Sequence, residues 1–260
     1  MAAVEQAEAA EATLLHRIAD QQWADRLADP VQKPVSGLLH RFAALRSALD
    51  GTWLGHPVHP VMVTVPLGSW TAGMILDLMD VTGRNRDLRP ATDAVHTIGL
   101  VTALGAAVFG LADWSYTQGA AKRVGVVHAL ANIAASGIYG ASLLARSRGA
   151  RGRGVALSTV GFGLVLFSGW LGGELAYHYG VGVNHAAFEQ PPADWQSVTG
   201  DGGAPIQEGD VSEGALRRVQ ANGTPVLLTR YGGQLRAIGD TCTHLGCSLS
   251  EGQLEGDQVT

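Results

Sequence analysis

Near the C-terminal end of the sequence, Cys242-Thr243-His244-Leu245-Gly246-Cys247 sets a thiol and an imidazole one residue apart, with a second thiol just beyond them. Thiolate and imidazole are the donors that soft and borderline transition metals prefer, and a closed protein site for such a metal takes about four of them. The stretch therefore reads as half of a metal site. The other half has no cysteine to draw on, because Cys242 and Cys247 are the only two in the chain. Two are also too few for a disulfide framework.

A second group of reactive side chains sits in apolar surroundings. "GHPVHPVMVTVPLG" carries His56 and His59, "DAVHTIG" carries His96, "VVHALANIAASG" carries His128 and "GGELAYHYGVGVN" carries Glu174 and His178, with Asp113 and Trp114 in between. Ionisable groups at membrane depth are costly, so each marks a site to be explained. Two imidazoles on facing helices suit the iron of a haem b, with His59 and His128 as the first pair and His178 as the next candidate. A quinone pocket that uses a histidine with Asp113 or Glu174 as proton acceptors suits the same residues. So does a structural role, in which the imidazoles hydrogen-bond loop backbone while His56-Pro57 and His59-Pro60 merely start a helix.

Long apolar segments must position these groups. The chain is 46% hydrophobic and only 16% charged, and the skew is concentrated between Val58 and about Glu174. Runs at Val61–Leu76, Ala94–Ala112, Val124–Ala145 and Val155–Gly173 approach the length that a helix needs to cross a bilayer, roughly 20 residues for about 30 Å of hydrocarbon. The first reaches it only by starting near Val58. Helices buried in a soluble bundle carry similar runs, but the connections "DVTGRNRDLRP", "DWSYTQGAAKR" and "RSRGARGRG" have the glycine, proline and charge of exposed loops. Small residues four apart, Ala106 with Gly110 and Ser136 with Gly140, would let helices approach closely in lipid.

Loop charge predicts orientation. Arg84, Arg86, Arg89, Arg146, Arg148, Arg151 and Arg153 follow spans one and three, against Arg41, Arg46, Lys122 and Arg123 at the opposite ends, with Arg17, Arg26 and Lys33 further back in the tail. The loops after spans one and three are therefore expected in the cytoplasm and both termini outside. His56, His59, His128 and His178 then lie toward the outer side and His96 toward the cytoplasm.

The N-terminus has neither a basic start nor an apolar core, so no cleavable signal peptide is expected. In "SGLLHRFAALRSALDG", Leu38, Phe42, Leu45 and Leu49 repeat with a helical period, Ser36 is placed as an N-cap and Gly51 as the stop. Such a helix suits the membrane surface or the face of a soluble domain. After span four, "EQPPADWQSVTGDGGAPIQEGD" reads as a linker, and "TPVLLTR" and "QLRAIGD" as strands joined at Tyr231-Gly232-Gly233. The expected fold class is a mainly α membrane protein, four transmembrane helices in a bundle followed by a partial all-β domain. The expected division is 1–55 interfacial, 56–185 membrane, 186–212 linker and 213–260 β domain. A net charge of -5 without a basic, aromatic-laced patch excludes nucleic acid as a partner. The glycines of "GFGLVLFSGW" lie inside a span, so they serve packing rather than phosphate binding.

The Cys242–Cys247 stretch resembles the first ligand box of Rieske iron-sulfur proteins, and the resemblance extends over "TPVLLTRYGGQLRAIGDTCTHLGCSLSEGQLEGDQVT". It implies a [2Fe-2S] cluster with two thiolates on one iron and two imidazoles on the other. Cys242 is then a sulfur ligand and His244 a nitrogen ligand. Cys247 stands where the high-potential members form a disulfide between their two ligand loops, a bond suited to an oxidising compartment. The second box of the family, Cys-Pro-x-His-Gly, is expected about where this sequence stops. The expectation is a truncated Rieske domain, with no stable cluster in the 260-residue species.

The segment from Gly55 to Asn184 resembles a bacterial family of four-helix membrane domains, sometimes fused to Rieske domains. That resemblance implies an architecture and no activity. Together the two imply a membrane-anchored one-electron carrier in the bacterial cell membrane, with lipid and either a redox protein or a quinone as partners. Other readings stay open: a structural or transport module with a vestigial or regulatory Rieske-like domain, a haem b or quinone subunit, or, with the opposite orientation, a ferredoxin-like component feeding a cytoplasmic oxygenase.

Overall fold

The structure, a computed structural model, describes residues 2–83, 86–184, 194–198, 203–243, 246–256 and 258–259. It divides into two units, Met1–Gly182 and Val183–Thr260.

In the first unit, four helices are long and apolar enough to cross a membrane: His59–Val81, Arg89–Trp114, Gly119–Ser147 and Arg151–His178, hereafter spans one to four. Three shorter-reaching helices precede them: α1 (Ala2–Ala19), α2 (Trp23–Arg41) and α3 (Ala43–Asp50). Span one is two helices, α4 (His59–Met62) and α5 (Thr64–Val81), with Pro60 in its first turn, where a missing N–H costs nothing. Span two is α6 (Arg89–Trp114), span three α7 (Gly119–Ser147), and span four is α8 (Arg151–Gly173) closed by a π turn over Glu174–His178. Arg89, Arg146, Arg151 and Arg153, expected in loops, all lie within spans. For Arg89, Arg146 and Arg151 the reason is that their long side chains reach acidic partners on neighbouring helices.

Buried positions repeat between the two hairpins. Pro66, Trp70, Gly73 and Asp77 of span one recur at the same spacing in span three as Ala135, Tyr139, Ser142 and Arg146. Thr92, His96, Gly99 and Ala106 of span two match Gly154, Ser158, Gly161 and Ser168 of span four. Each span packs on the next, and the fourth on the first, which leaves spans one and three on a diagonal. Matched residues meet across that diagonal. Trp70 stacks on Tyr139 with ring centroids 4.4 Å apart and planes at 1°, and Arg146 binds Asp77. Contact between equivalent residues marks a pseudo-twofold axis running along the bundle, the arrangement of a parallel repeat.

Glycines let the helices of each hairpin close up. A Cβ on Gly73 would fall 2.5 Å from His96 Cε1, and one on Gly99 would fall 2.5 Å from Trp70 Nε1, so each span of the first hairpin offers a glycine seat to the other's ring. Gly154 seats Arg146 in the second hairpin in the same way. Of the two small-residue pairs read from sequence, the first is used: Ala106 is buried and Gly110 lies against the His59 ring. A Cβ added at Gly140 would meet nothing within 4 Å, so the second pair is not a close helix contact within this chain.

The hairpin turns lie at one end of the bundle, and the ends where the chain enters spans one and three lie at the other. The N-terminal helices α1 to α3 pack on this entry end. Leu15 and Ala19 join Val124 and Leu171 in one apolar cluster. Gln32 Nε2 donates to the Trp114 and Thr117 carbonyls, at 2.9 and 3.0 Å, and Lys122 and Arg123 pair with Asp25 at 3.0 and 2.8 Å. Ser36 is not a cap: it lies inside α2, and the break comes at Phe42. Gly51 ends α3 in the left-handed region, φ 74°, as its position after the apolar period requires.

In the second unit, β1 (Leu216–Ala221), β2 (Thr224–Tyr231) and β3 (Gln234–Gly239) form an antiparallel meander. Asn222 and Gly223, with φ of 51° and 75°, turn β1 into β2, and Gly232 and Gly233 turn β2 into β3. Val211, Val219 and Leu228 form its small core. A second short pair, β4 (Leu254–Glu255) and β5 (Gln258–Val259), follows. This is the mainly α membrane protein with a partial Rieske-like β region that the sequence implied.

Candidate functional site

Backbone hydrogen bonds within the loop after β3 shape its described residues. The Cys242 N–H donates to the Cys247 carbonyl at 2.8 Å, and the Gly246 N–H to the Cys242 carbonyl at 2.7 Å, with Gly246 at φ 73° making the tight return. Asp240, 1% exposed, clamps its base. The carboxylate of Asp240 accepts from the Ser250 N–H at 2.9 Å and from the Ser248 hydroxyl, while its carbonyl accepts from the Leu249 N–H at 2.6 Å. This aspartate is not among the residues that the sequence singles out. Its signal is the Asp240…Ser248-x-Ser250 spacing around the loop, which resembles an Asx-type clamp.

Both cysteines are thiols, and that of Cys247 hydrogen-bonds with Cys242. Partial desolvation, followed by the charge of neighbouring Cys242, pushes the Cys247 thiol above its ordinary range. His244 lies outside the described residues. The donor chemistry of the loop, one thiolate and one imidazole, matches one half of a Rieske centre. The chain holds only these two cysteines, so its 260 residues do not make up the full donor set.

In the membrane unit, the structure brings some of the sequence candidates into register and leaves others apart. His59 Nδ1 donates to the Ala106 carbonyl at 2.9 Å, and His128 Nδ1 to the Ser168 carbonyl at 2.8 Å. Asn132 Nδ2 donates to His128 Nε2 at 3.1 Å. His178 is exposed and meets Tyr179 edge-on at 4.7 Å, and His56 is exposed with Nδ1 on the carbonyl of its own neighbour Pro57. Asp113 is half-buried within reach of the Asp50 charge, and Glu174 accepts the Tyr179 N–H through its backbone carbonyl.

The most heavily bonded polar cluster was not anticipated from the sequence. Asp77, fully buried, receives Arg146 Nη1 at 2.8 Å and Nη2 at 2.5 Å, the Ser158 hydroxyl at 2.7 Å and His96 Nε2 at 3.0 Å. Arg146 also donates to Ser142 and Ser158, and Asp93 bridges it to Arg151. Arg89 and Arg151 close on Asp80. A bidentate guanidinium–carboxylate pair with its remaining valences filled is the form in which buried charge is tolerated. His96, set apart from the other histidines by its place near this end, is a member of the cluster. Its Nε2 carries the proton toward Asp77, which leaves Nδ1 buried without a partner. The cluster joins all four spans and reads as their fastening.

The comparisons with known proteins agree with this division. A family model described as "Predicted membrane protein (DUF2231)" matches residues 55–185, and a Rieske [2Fe-2S] domain model matches 204–260. The ferredoxin component of biphenyl 2,3-dioxygenase from Rhodococcus jostii (strain RHA1) is 41% identical over 51 residues, 20% of this chain and 48% of its own. Ferredoxin CarAc from Metapseudomonas resinovorans is 47% identical over 51 residues, 19% of this chain and 48% of its own. The chain thus spans about half the length of these relatives. No solved structure matches it.

Proposed function

The chain belongs to the DUF2231 family of predicted membrane proteins, and we propose that it works as a membrane-anchored Rieske-type electron carrier. The observation that carries this reading is the clamped Cys242–Cys247 loop at the end of the β1–β3 meander. A [2Fe-2S] centre with two imidazole ligands supplies a one-electron couple at higher potential than an all-cysteine centre. Cys242 would donate sulfur and His244 nitrogen, while Asp240 holds the loop against the hairpin. A complete centre needs a second cysteine–histidine pair, which these 260 residues do not supply. Cys247 is the candidate for a disulfide to that second loop, if the unit lies outside the bacterial cell membrane as loop charge suggests.

The test uses the protein as its gene encodes it, purified without oxygen and reduced. An EPR signal of a histidine-ligated [2Fe-2S] centre that disappears in Cys242→Ala is expected. Full-length, folded protein with no iron or acid-labile sulfide would overturn the reading in favour of a vestigial or regulatory β unit.

The curated relatives favour one alternative acceptor. Both are ferredoxins, and one is by its name a dioxygenase component. A C-terminal unit on the cytoplasmic side would suit delivery to an oxygenase. A reporter enzyme fused after Thr260 distinguishes the two: activity on the outer side supports the outward carrier, and activity in the cytoplasm supports the oxygenase partner.

A further inference from the structure

The repeat places one histidine on each half of the membrane unit at matching seats. His59 precedes Pro66 by the same interval as His128 precedes Ala135, and their carbonyl acceptors, Ala106 and Ser168, are themselves matched. Each ring lies on a glycine of the partner helix. A Cβ would fall 2.7 Å from His59 Cε1 at Gly110 and 3.3 Å from His128 Cε1 at Gly172. With Nδ1 committed as a donor to a carbonyl, the lone pair of each neutral imidazole is on Nε2, the tautomer and orientation found at metal-ligating histidines.

Two such donors do not make a site for a bare cation. A zinc-like ion wants about four ligands, and among the described residues no group of three His, Cys, Asp or Glu side chains comes together. A metal that brings its own planar ring of donors needs two axial ligands and no more. Four of the buried positions near this level, Ala106, Ala131, Ala135 and Ser168, are small, beside Pro66 and Val165. Small side chains at that level leave a flat macrocycle less to displace. The sequence has no Cys-x-x-Cys-His for covalent attachment, so a macrocycle would be held by ligation and packing alone.

We propose that His59 and His128 are the axial ligands of a b-type haem set on the pseudo-twofold axis, toward the entry end of the bundle. The site stands on the membrane unit alone and does not depend on the Rieske reading. Asn132, donating to His128 Nε2 at 3.1 Å, must turn away when iron binds, so that bond is the cost of loading.

The test takes the full chain in detergent, isolated from cells supplied with a haem precursor and, separately, titrated with hemin. The expected result is stoichiometric haem with the low-spin spectrum of bis-histidine ligation. His59→Ala and His128→Ala should each lose haem or turn it high-spin, while His56→Ala and His178→Ala keep the parent spectrum. His128→Met guards against a folding artefact: it should retain haem with an altered reduced spectrum and a higher potential, as methionine–histidine ligation gives. Folded protein that takes up no haem by either route overturns the proposal, as does haem whose spectrum ignores both histidines. Quinol binding by haem-free protein that is lost in His59→Ala would replace it. Cys242→Ala should leave the haem spectrum unchanged, so the failure of one metal centre is separable from the failure of the other.

Discussion

Asp77 and Arg146 would be expensive to bury separately. Breaking a buried pair by removing one partner costs about 3–5 kcal/mol because the other charge is stranded, whereas replacing both with apolar residues is often neutral. Arg146→Leu or Asp77→Leu should therefore lower the thermal unfolding temperature in detergent sharply, and the double Leu variant should recover most of the loss. A double variant as unstable as the sum of the singles would mean that His96, Ser158 and Asp93 carry the fastening independently of the pair. At this scale the sequence was legible where chemistry is unusual. A cysteine two residues from a histidine, or a histidine in an apolar run, stands out by type. Arg146 did not, because an arginine at the end of an apolar segment looks like any loop charge until the helix that turns it inward is known. Asp240 was missed for the same reason: its role lies in which backbone N–H groups it meets.

The spans were legible as elements because twenty apolar residues have few other uses, but their contacts were not. Gly73 and Gly163 both lie inside spans and look alike in sequence. Gly73 faces the His96 ring, and an added Cβ would collide with it at 2.5 Å, while at Gly163 there is nothing within 4 Å. Gly73→Ala is expected to destabilise by about 1–3 kcal/mol, the usual cost of overpacking, and Gly163→Ala to be neutral or slightly stabilising through helix propensity. Parallel melting curves check the contrast, and equal effects would show that the hairpin can open at no cost. The N-terminal helices were harder to read. The period before Gly51 was visible, but α2 starts well before Ser36 and runs through Pro30 and Pro34 because its buried face, Ala24, Ala28, Gln32 and Leu39, is held in place by the entry end of the bundle. The β1 strand was obscured although Asn222-Gly223 is a strong two-residue hairpin signal, since the adjacent Arg217 and Arg218 break the alternation of apolar and polar residues that marks a strand.

At the scale of the molecule, the composition shift divided membrane helices from the β unit, and two resemblances named the parts. The repeat within the membrane unit left no such trace. Most of its matched seats hold unlike residues, Trp and Tyr, Gly and Ser, Asp and Arg, or His and Ser, and the few identical ones, His59 with His128, Gly99 with Gly161 and Gly110 with Gly172, carry no signal until one knows which residues face inward. The axis through Trp70–Tyr139 and Asp77–Arg146 has a consequence for how the halves recognise each other. Were either hairpin to pair with its own copy, carboxylate would meet carboxylate or guanidinium would meet guanidinium at the centre of a low-dielectric bundle. Each half is therefore a lock for the other and a poor partner for itself. Cut at the connection between Trp114 and Gly119 and expressed as two chains, the halves should assemble one to one and neither should form a stable pair alone; self-pairing of either fragment would contradict this. Carrying both halves on one chain fixes their ratio at synthesis, so each charge on the axis is made together with its counterpart.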